Sequence, residues 1–426
     1  MRYQPRMMRI PALLFALSLA FAGAAHAIPY FPPPQPVFEA PIDRALANVA
    51  ADTNLDVAQR ERILGRLNLL AFARDDAPFT YLRDSERLNL SGSVSCADAA
   101  QHQMRSAPPA DPPAYAPDDR CAQFEFNLGP SREILDADTN GTSPAARTRL
   151  EAARRHYATA LTLENDDLRA HLGLAYALDR LGRTGQARSE LRSLIRLGLP
   201  KLAGPTSAWE DHAVLTEAAT HLAHLAKSRA DRQRVAQLQT RLGASQPMIY
   251  ITPMVVPLRD ESFDALVNAA SPVAFDFAGT GDRRAQGWLG PDAAWLVWDP
   301  NGRADMRSGF DLIGARTWAV FWRDGFEVLR ALDDDRSGDL SGAELGGLAL
   351  WRDANGDGRS TPAEVQPLAA HGIVSLSVRG QTTRPGLMTA PGGVRLDDGA
   401  SRPLYDWTPG LTPATRGAPI LGAPVS

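Results

Sequence analysis

The residues best suited to chemistry lie between 333 and 364. Asp333, Asp335, Ser337, Asp339, Ser341 and Glu344 fall at positions 1, 3, 5, 7, 9 and 12 of one twelve-residue stretch. Asp353, Asn355, Asp357, Arg359, Thr361 and Glu364 fall at the same positions of a second, which starts 20 residues later. Gly338 and Gly358 occupy position 6 of each. Alternate oxygen-bearing residues on a short loop can point at one centre. A hard cation such as Ca2+ takes roughly six to eight oxygens at about 2.3–2.6 Å. Glycine permits the sharp bend at position 6, and a final glutamate can close the shell with both oxygens. In the first stretch Asp333, Asp335, Ser337 and Glu344 are expected to bind through side chains, Asp339 through its carbonyl, and Ser341 directly or through water. In the second, Asp353, Asn355, Asp357 and Glu364 are the expected side-chain ligands, with the Arg359 carbonyl and Thr361 beside them. A pair of solvated acidic turns is the plainer reading. The tandem repetition of the same glycine and glutamate favours two Ca2+ sites.

This spacing resembles the EF-hand, and the resemblance implies helices that bring the chain into and out of each loop. Thr317–Leu332 carries Trp318, Phe321, Trp322, Leu329 and Leu332 at helical intervals and is expected to be the entering helix. Only Leu345–Arg352 separates the loops, about 12 Å if helical, so one short helix is expected to serve both. Such a pair has no separate helices to swing apart, which favours a fixed structural site over a sensor. Leu340 at position 8 fits the apolar residue that pairs with a partner loop, whereas Ser360 does not. The first loop is therefore expected to be the better folded.

The resemblance widens over residues 271–380. Val273–Asp282, Gly287-Trp288 and Leu296–Gly302 are similar to the strand–Asp–Gly turns of calcium-binding modules in secreted bacterial proteins, and Gly372–Val378 matches the strand that follows the loops there. Arg303 and Ala304 stand where an oxygen ligand and Gly are expected after Asp299, and Phe277–Ala278 replace acidic residues after Asp276. Both are expected to be structural turns that have lost calcium or bind it poorly.

Residues 1–27 read as a secretory signal peptide, with Arg2, Arg6 and Arg9 before the apolar run Ala12–Ala22 and small residues at Ala25 and Ala27. Export to the periplasm or the medium is expected. Its removal takes the formal charge from −4 to −7, which argues against a nucleic-acid partner. No later run is long and apolar enough to suggest a membrane span. The 43 arginines against two lysines fit a GC-rich bacterial genome better than a binding surface. Cys96 and Cys121 are expected to pair in an oxidising compartment.

Six prolines in residues 28–41 make an extended lead-in, assigned to 28–45. Residues 46–245 read as a helical domain. Asp56 can cap a helix carrying Val57, Ile63, Leu64, Leu67, Leu70 and Ala71 on its apolar face. Residues 75–130 are irregular, with a Pro/Ala/Asp-rich insert at Ala107–Pro117. Asp136–Gly141 mimics a calcium loop but has Arg147 at position 12, so a turn before a helix at Ser143-Pro144 is expected instead. Ala153, Tyr157 and Ala160 recur 34 residues later as Ala187, Leu191 and Leu194. With Gly182 in the turn between, residues 146–199 resemble the tetratricopeptide repeat (TPR), which implies paired helices and a protein or peptide partner. His212, Glu217, His221 and His224 share a helical stretch, but the pattern is not HExxH, and a half-buried helix face is expected rather than zinc.

Met248–Leu258 is β-branched and broken by prolines, so residues 246–270 are read as a linker with an edge strand. Seven of the eight tryptophans fall between Trp288 and Trp407, which predicts a separate compact core over 271–408, closed by a hairpin across Asp398-Gly399. Residues 409–426 are expected to be disordered. The fold class expected is α+β: an all-α TPR-like N-terminal domain and a small mixed C-terminal domain with short strands and a compact EF-hand pair. The function expected is that of an exported, non-enzymatic calcium-binding protein. The alternatives are a TPR-like scaffold of the cell envelope and a hydrolase whose site carries no motif; no GxSxG, P-loop, HExxH or CxxC is present.

Overall fold

The structure is a computed structural model that describes residues 40–72, 144–202, 209–243, 251–277 and 283–409. The signal peptide, most of the proline-rich lead-in, the Cys96–Cys121 pair, the insert at 107–117, the turn at 136–141 and the tail from 410 lie outside the described residues, as does the side chain of His224. The chain is mixed α and β, with helices in the N-terminal part and an antiparallel sheet in the C-terminal part.

The helices are α1 (Ile42–Ala51), α2 (57–72), α3 (Pro144–Leu163), α4 (Leu168–Arg180), α5 (Thr184–Lys201), α6 (Trp209–Leu225) and α7 (Arg229–Gly243). Carboxylates start two of them. Asp56 accepts from the Ala58 and Gln59 amides at 2.9 and 3.2 Å, and Asp167 accepts from Arg169 and Ala170. Helix α4 ends at Gly182, whose φ of +77° lets the Arg183 amide fold back to the Leu178 carbonyl. Ala153, Tyr157 and Ala160 on α3 are buried, and so are Ala187, Leu191 and Leu194 on α5. The Tyr157 ring lies where the glycines of two other helices make room: a Cβ on Gly65 would sit 2.9 Å from it, and one on Gly173 2.1 Å. Val57 is the exception to the expected face of α2, being 48 % exposed at the first turn.

The strands are β1 (Met254–Pro257), β2 (Val267–Phe275), β3 (Arg284–Leu289), β4 (Ala293–Trp298), β5 (Asp339–Ser341), β6 (Leu348–Trp351), β7 (Val365–Pro367), β8 (Ile373–Ser377), β9 (Gln381–Arg384), β10 (Leu387–Leu396) and β11 (Ser401–Trp407). Nine form one antiparallel sheet in the order β5-β8-β10-β11-β1-β4-β6-β7, with β9 beside β10, while β2 and β3 make a separate ribbon. The sheet must curl. Six strand spacings separate β5 from β6, about 29 Å if flat at ~4.8 Å each. The seven steps from Ser341 to Leu348 reach at most about 25 Å fully extended, and part of that link is a 3-10 turn, Gly342–Leu345.

Alternating residues place two apolar clusters on opposite faces of this sheet. Val255, Trp295, Val297, Trp351, Tyr405 and Trp407 face the β2–β3 ribbon, with Phe275, Phe277 and Trp288. Val256, Leu296, Trp298, Leu350 and Leu404 face the other way and share one core with α1–α7. One of the two clusters is the aromatic one, drawn almost wholly from the C-terminal half. Trp288, Trp295, Trp351 and Trp407 lie in it, while Trp298, Trp318 and Trp322 lie in the core that the helices complete.

Three expected elements differ. Strand β1 is central, paired with both β11 and β4, rather than an edge or a linker. Its prolines, Pro253 and Pro257, stand only at the ends of a run buried on both faces, so they cost little of the ladder. Thr317–Leu332 is not one helix. Trp318, Ala319 and Phe321 take φ values of 52°, 58° and 64°, and the Thr317 hydroxyl holds the turn by accepting from the Gly314 amide and donating to the Leu312 carbonyl. The helix, α9 (Gly325–Arg330; a four-residue α8 spans Phe263–Leu266), begins where Asp324 caps the Glu327 amide at 2.9 Å. Finally, Leu345–Arg352 is not a shared helix. Gly347 turns at φ +90°, and Leu348–Trp351 is strand β6, with a period of two between the clusters. The Asp398-Gly399 hairpin is present: β10 pairs with β11, and Gly399 takes φ +85°.

Candidate metal centre

The first acidic loop, 333–344, follows α9, contains β5 and ends in the 3-10 turn Gly342–Leu345. Its backbone wraps around its own carboxylates. Asp333 accepts from the amides of Ser337 and Gly338, each at 3.1 Å. Asp335 accepts from Ser337 at 2.9 Å. Glu344 accepts from Asp334 at 2.7 Å through one oxygen and from Ser341 at 3.0 Å through the other. These bonds hold Asp333, Asp335 and Glu344 so that one oxygen of each lies within 4.8 Å of the others. Oxygens bound to one ion at ~2.3–2.6 Å lie no farther apart than about 5 Å. The three expected carboxylate ligands thus fit a hard cation, and two of them, Asp333 and Glu344, are buried.

The remaining donors are partly engaged. The Ser337 hydroxyl donates to the Asp339 carbonyl at 2.8 Å, so positions 5 and 7 lie together. Ser341 and Glu344 form a capping box at the 3-10 turn, which occupies the Ser341 hydroxyl. Burial pushes the Asp333 carboxyl above its ordinary range, opposed by the Gly338 and Ser337 amides and reinforced by the Glu344 charge. The Ser337 amide and hydroxyl hold Asp335 below its ordinary range. A cation would relieve the repulsion that concentrates around Asp333.

The second loop, 353–364, lies between β6 and β7, at the end of the strand order opposite β5. Its local turns repeat those of the first. Asp353 accepts from Gly356, Asp357 and Gly358 at 2.9, 3.2 and 2.9 Å. Asn355 accepts from Asp357, and Glu364 accepts from Ala354 and the Thr361 hydroxyl. Asp357 accepts from the Arg359 amide, which leaves that residue's carbonyl as its expected donor. Burial raises the Asp353 carboxyl as well. Among the described residues, however, only the first loop brings three acidic groups together within that distance. Asp353, Asp357 and Glu364 do not all come within it.

The loops do not pair with each other through position 8. Leu340 in β5 pairs with Leu376 in β8, the strand expected to follow the loops. The Ser360 hydroxyl donates to the Ala304 carbonyl and accepts from the Met306 amide, each at 2.7 Å. Ser360 at position 8 is therefore an adaptation to a different neighbour. That neighbour follows the Asp299 turn, where Asp299 accepts from the Arg303 and Ala304 amides at 2.8 and 3.0 Å. Asp276 is buried and bridges to Ser308. On α6, where a half-buried face is expected, His221 and Glu217 are fully buried and lie 3.4 Å apart, while His212 bonds the Leu242 carbonyl at 2.8 Å.

Two supports had no signal in the sequence. Arg44 and Asn48 on α1 bond Asp334 at 2.8 Å each, across about 290 residues of chain. The exposed Arg379 lays its guanidinium over Gly338, where an added Cβ would meet it at 2.7 Å. Nothing in local spacing points to such partners.

Comparison with known proteins places both loops within a recognised region. The SPM domain matches residues 254–406, from the first residue of β1 nearly to the end of β11. Part of the chain is also similar to the iron-regulated protein FrpA of Neisseria meningitidis serogroup C, at 33% identity over 109 residues. That match covers 24% of this chain and 10% of FrpA, so the chain spans about a tenth of the length of the curated relative it matches.

Proposed function

We propose that this is an exported, non-enzymatic calcium-binding protein in which Ca2+ stabilises the C-terminal sheet through two EF-hand-type loops. The observation that carries the reading is the convergence of Asp333, Asp335 and Glu344 inside a backbone cradle. The all-oxygen donor sets suit a hard cation rather than a soft one. FrpA is called iron-regulated, which describes the regulation of that protein and assigns no metal to these loops. Extracellular modules of this kind bind at about 10⁻⁴–10⁻³ M, so the ion acts as a standing staple rather than a signal.

The first loop is the stronger site and the second the weaker. Calorimetric titration of metal-free, folded chain, alongside Glu344→Gln and Glu364→Gln, tests this. Two events are expected, one lost in each variant, with the tighter one lost in Glu344→Gln. No heat at millimolar calcium would overturn the reading. A TPR-like interaction role for α3–α5 is the second reading. It draws on a cleft of about 390 Å³ beside α4, lined by Arg62, Asp166, Asp167, Arg169, Lys201 and Glu210 among others. These charges already pair with one another, as Arg62–Asp167, Lys201–Asp166 and Arg169–Glu210, which leaves less for a partner.

A further inference from the structure

We infer that helices α1 and α2 belong to the first calcium site, so that calcium occupancy of residues 333–344 and docking of the α1–α2 pair on the C-terminal sheet are thermodynamically coupled. The inference rests on the calcium reading above and adds to it a part of the chain remote in sequence.

Asp334 is the link. It stands at position 2 of the loop, between two ligands, and is not itself an expected ligand. Its carboxylate accepts from Arg44 Nε and Asn48 Nδ2, each at 2.8 Å. Its amide donates to Glu344 Oε1 at 2.7 Å. One residue thus joins α1 to the glutamate that closes the shell. The same two side chains cap the chain entering the loop: Arg44 bonds the Leu332 carbonyl and Asn48 the Ala331 carbonyl.

Helix α2 secures what lies upstream. Gln59 Nε2 donates to both oxygens of Glu327 on α9 at 2.7 and 2.8 Å. Arg62 and Arg66 bond the Phe321 and Ala319 carbonyls at 3.3 and 2.8 Å. Ala319 and Phe321 are the left-handed residues that cannot continue a helix, so their carbonyls depend on such donors. Asp52, just past α1, pairs with Arg330 at 3.0 Å. The whole approach to the loop, 319–334, is held by two helices from the other end of the chain. An ion that fixes Glu344 and Asp333 fixes the Asp334 backbone and favours the docked helices. By linkage, the docked helices favour the ion to the same degree.

The sign of one substitution separates this from simple electrostatics. Removing the Arg44 positive charge beside an acidic loop would by itself strengthen cation binding. If α1 positions the loop, Arg44→Ala weakens it instead, as does the neutral change Asn48→Ala. The test uses the full chain. Amide hydrogen exchange of residues 42–51 is measured in millimolar calcium and in chelator, and calcium is titrated calorimetrically into the parent, Arg44→Ala and Asn48→Ala. The expected results are at least a roughly tenfold loss of protection of 42–51 in chelator, and a roughly tenfold weakening, in both variants, of the event that Glu344→Gln removes. The event that Glu364→Gln removes should stay unchanged. Equal protection of 42–51 with and without calcium, in protein that still binds calcium at the first loop, overturns the coupling and leaves the calcium reading standing. Stronger binding in Arg44→Ala also overturns it. No calcium event in the parent removes the calcium reading itself, and the coupling with it.

Discussion

At position 4 of the two loops stand Arg336 and Gly356, with φ of 58° and 68°. Position 6 is also left-handed in both, with Gly338 at 92° and Gly358 at 68°. Each loop therefore turns twice through a region that costs a non-glycine residue about 1–2 kcal/mol. The second loop meets this with two glycines, the first with one. Replacing Arg336 with Gly should relieve that cost, offset in part by the larger freedom of glycine in the unfolded chain, ~0.5–1 kcal/mol. The expected outcome is a net stabilisation of up to about 1 kcal/mol in calcium, measured as the shift in chemical-denaturation midpoint; a clear loss of stability would contradict it. Position 12 shows the complementary case. Glu344 is placed by amides of its own loop on both oxygens, so Glu344→Gln removes the charge that an ion needs and keeps an acceptor for only one side of that arrangement.

Elements were legible where one periodicity and one cap agreed, and less so where apolar residues allowed two periods. Helix α3 illustrates the first. Its small and large residues pack at the predicted places, and Tyr157 enters the space left by Gly65 and Gly173. A Cβ on Gly173 would lie 2.1 Å from the Tyr157 ring, inside contact distance. Gly173→Ala should therefore destabilise the helical half by roughly 1–3 kcal/mol by overpacking, despite the better helix propensity of alanine. Thermal unfolding followed by circular dichroism would show it, and pairing the change with Tyr157→Leu should recover part of the loss. The stretch at 317–332 illustrates the second. Trp318, Phe321 and Trp322 match helical spacing, yet a hydroxyl-held turn puts their rings into the core without a helix. The cap at Asp324-Gly325 is the better local signal.

For the molecule as a whole, a buried acidic cluster joins the sheet to α9, and Glu327 of that cluster is held by Gln59 of α2. Asp406, on β11, is 3 % exposed and accepts from the Gly325 amide. Burial, with the charges of Asp324 and Glu327, pushes its carboxyl well above the ordinary range, opposed by the Gly325 amide. Burial also raises Glu327, with Asp324 adding to it and the Arg323 amide and the Arg330 and Arg323 charges opposing. The folded chain holds protons on these groups more tightly than the unfolded chain. Their contribution to stability is thus most favourable below the ordinary carboxylate pKa of about 4 and is lost as pH rises through the raised folded values. Asp406→Asn keeps an acceptor for Gly325 and removes the titration. Melting temperatures of parent and variant from pH 4.5 to 8, in calcium, should differ by an amount that grows with pH in favour of the variant. A difference that shrinks with pH would refute the assignment.

The sequence by itself determined the two acidic loops, their turns and capping residues, the helical repeat of α3 and α5, the Asp398-Gly399 hairpin and the mixed α and β class. These depend on residues a few positions apart, where a glycine, a carboxylate or an apolar interval acts through local geometry. Only the tertiary structure decided that β1 is central, that β6 rather than a helix links the loops, and that the loops lie at opposite ends of a curled sheet. It also decided that Leu340 pairs with Leu376 and that Asp334 is held by Arg44 and Asn48. Short apolar runs such as Leu348–Trp351 satisfy helix and strand alike, and the choice falls to the partners that cover both faces. Contacts across about 290 residues leave no spacing to read, because the energy that selects them comes from burial and hydrogen bonds made only once the sheet has closed.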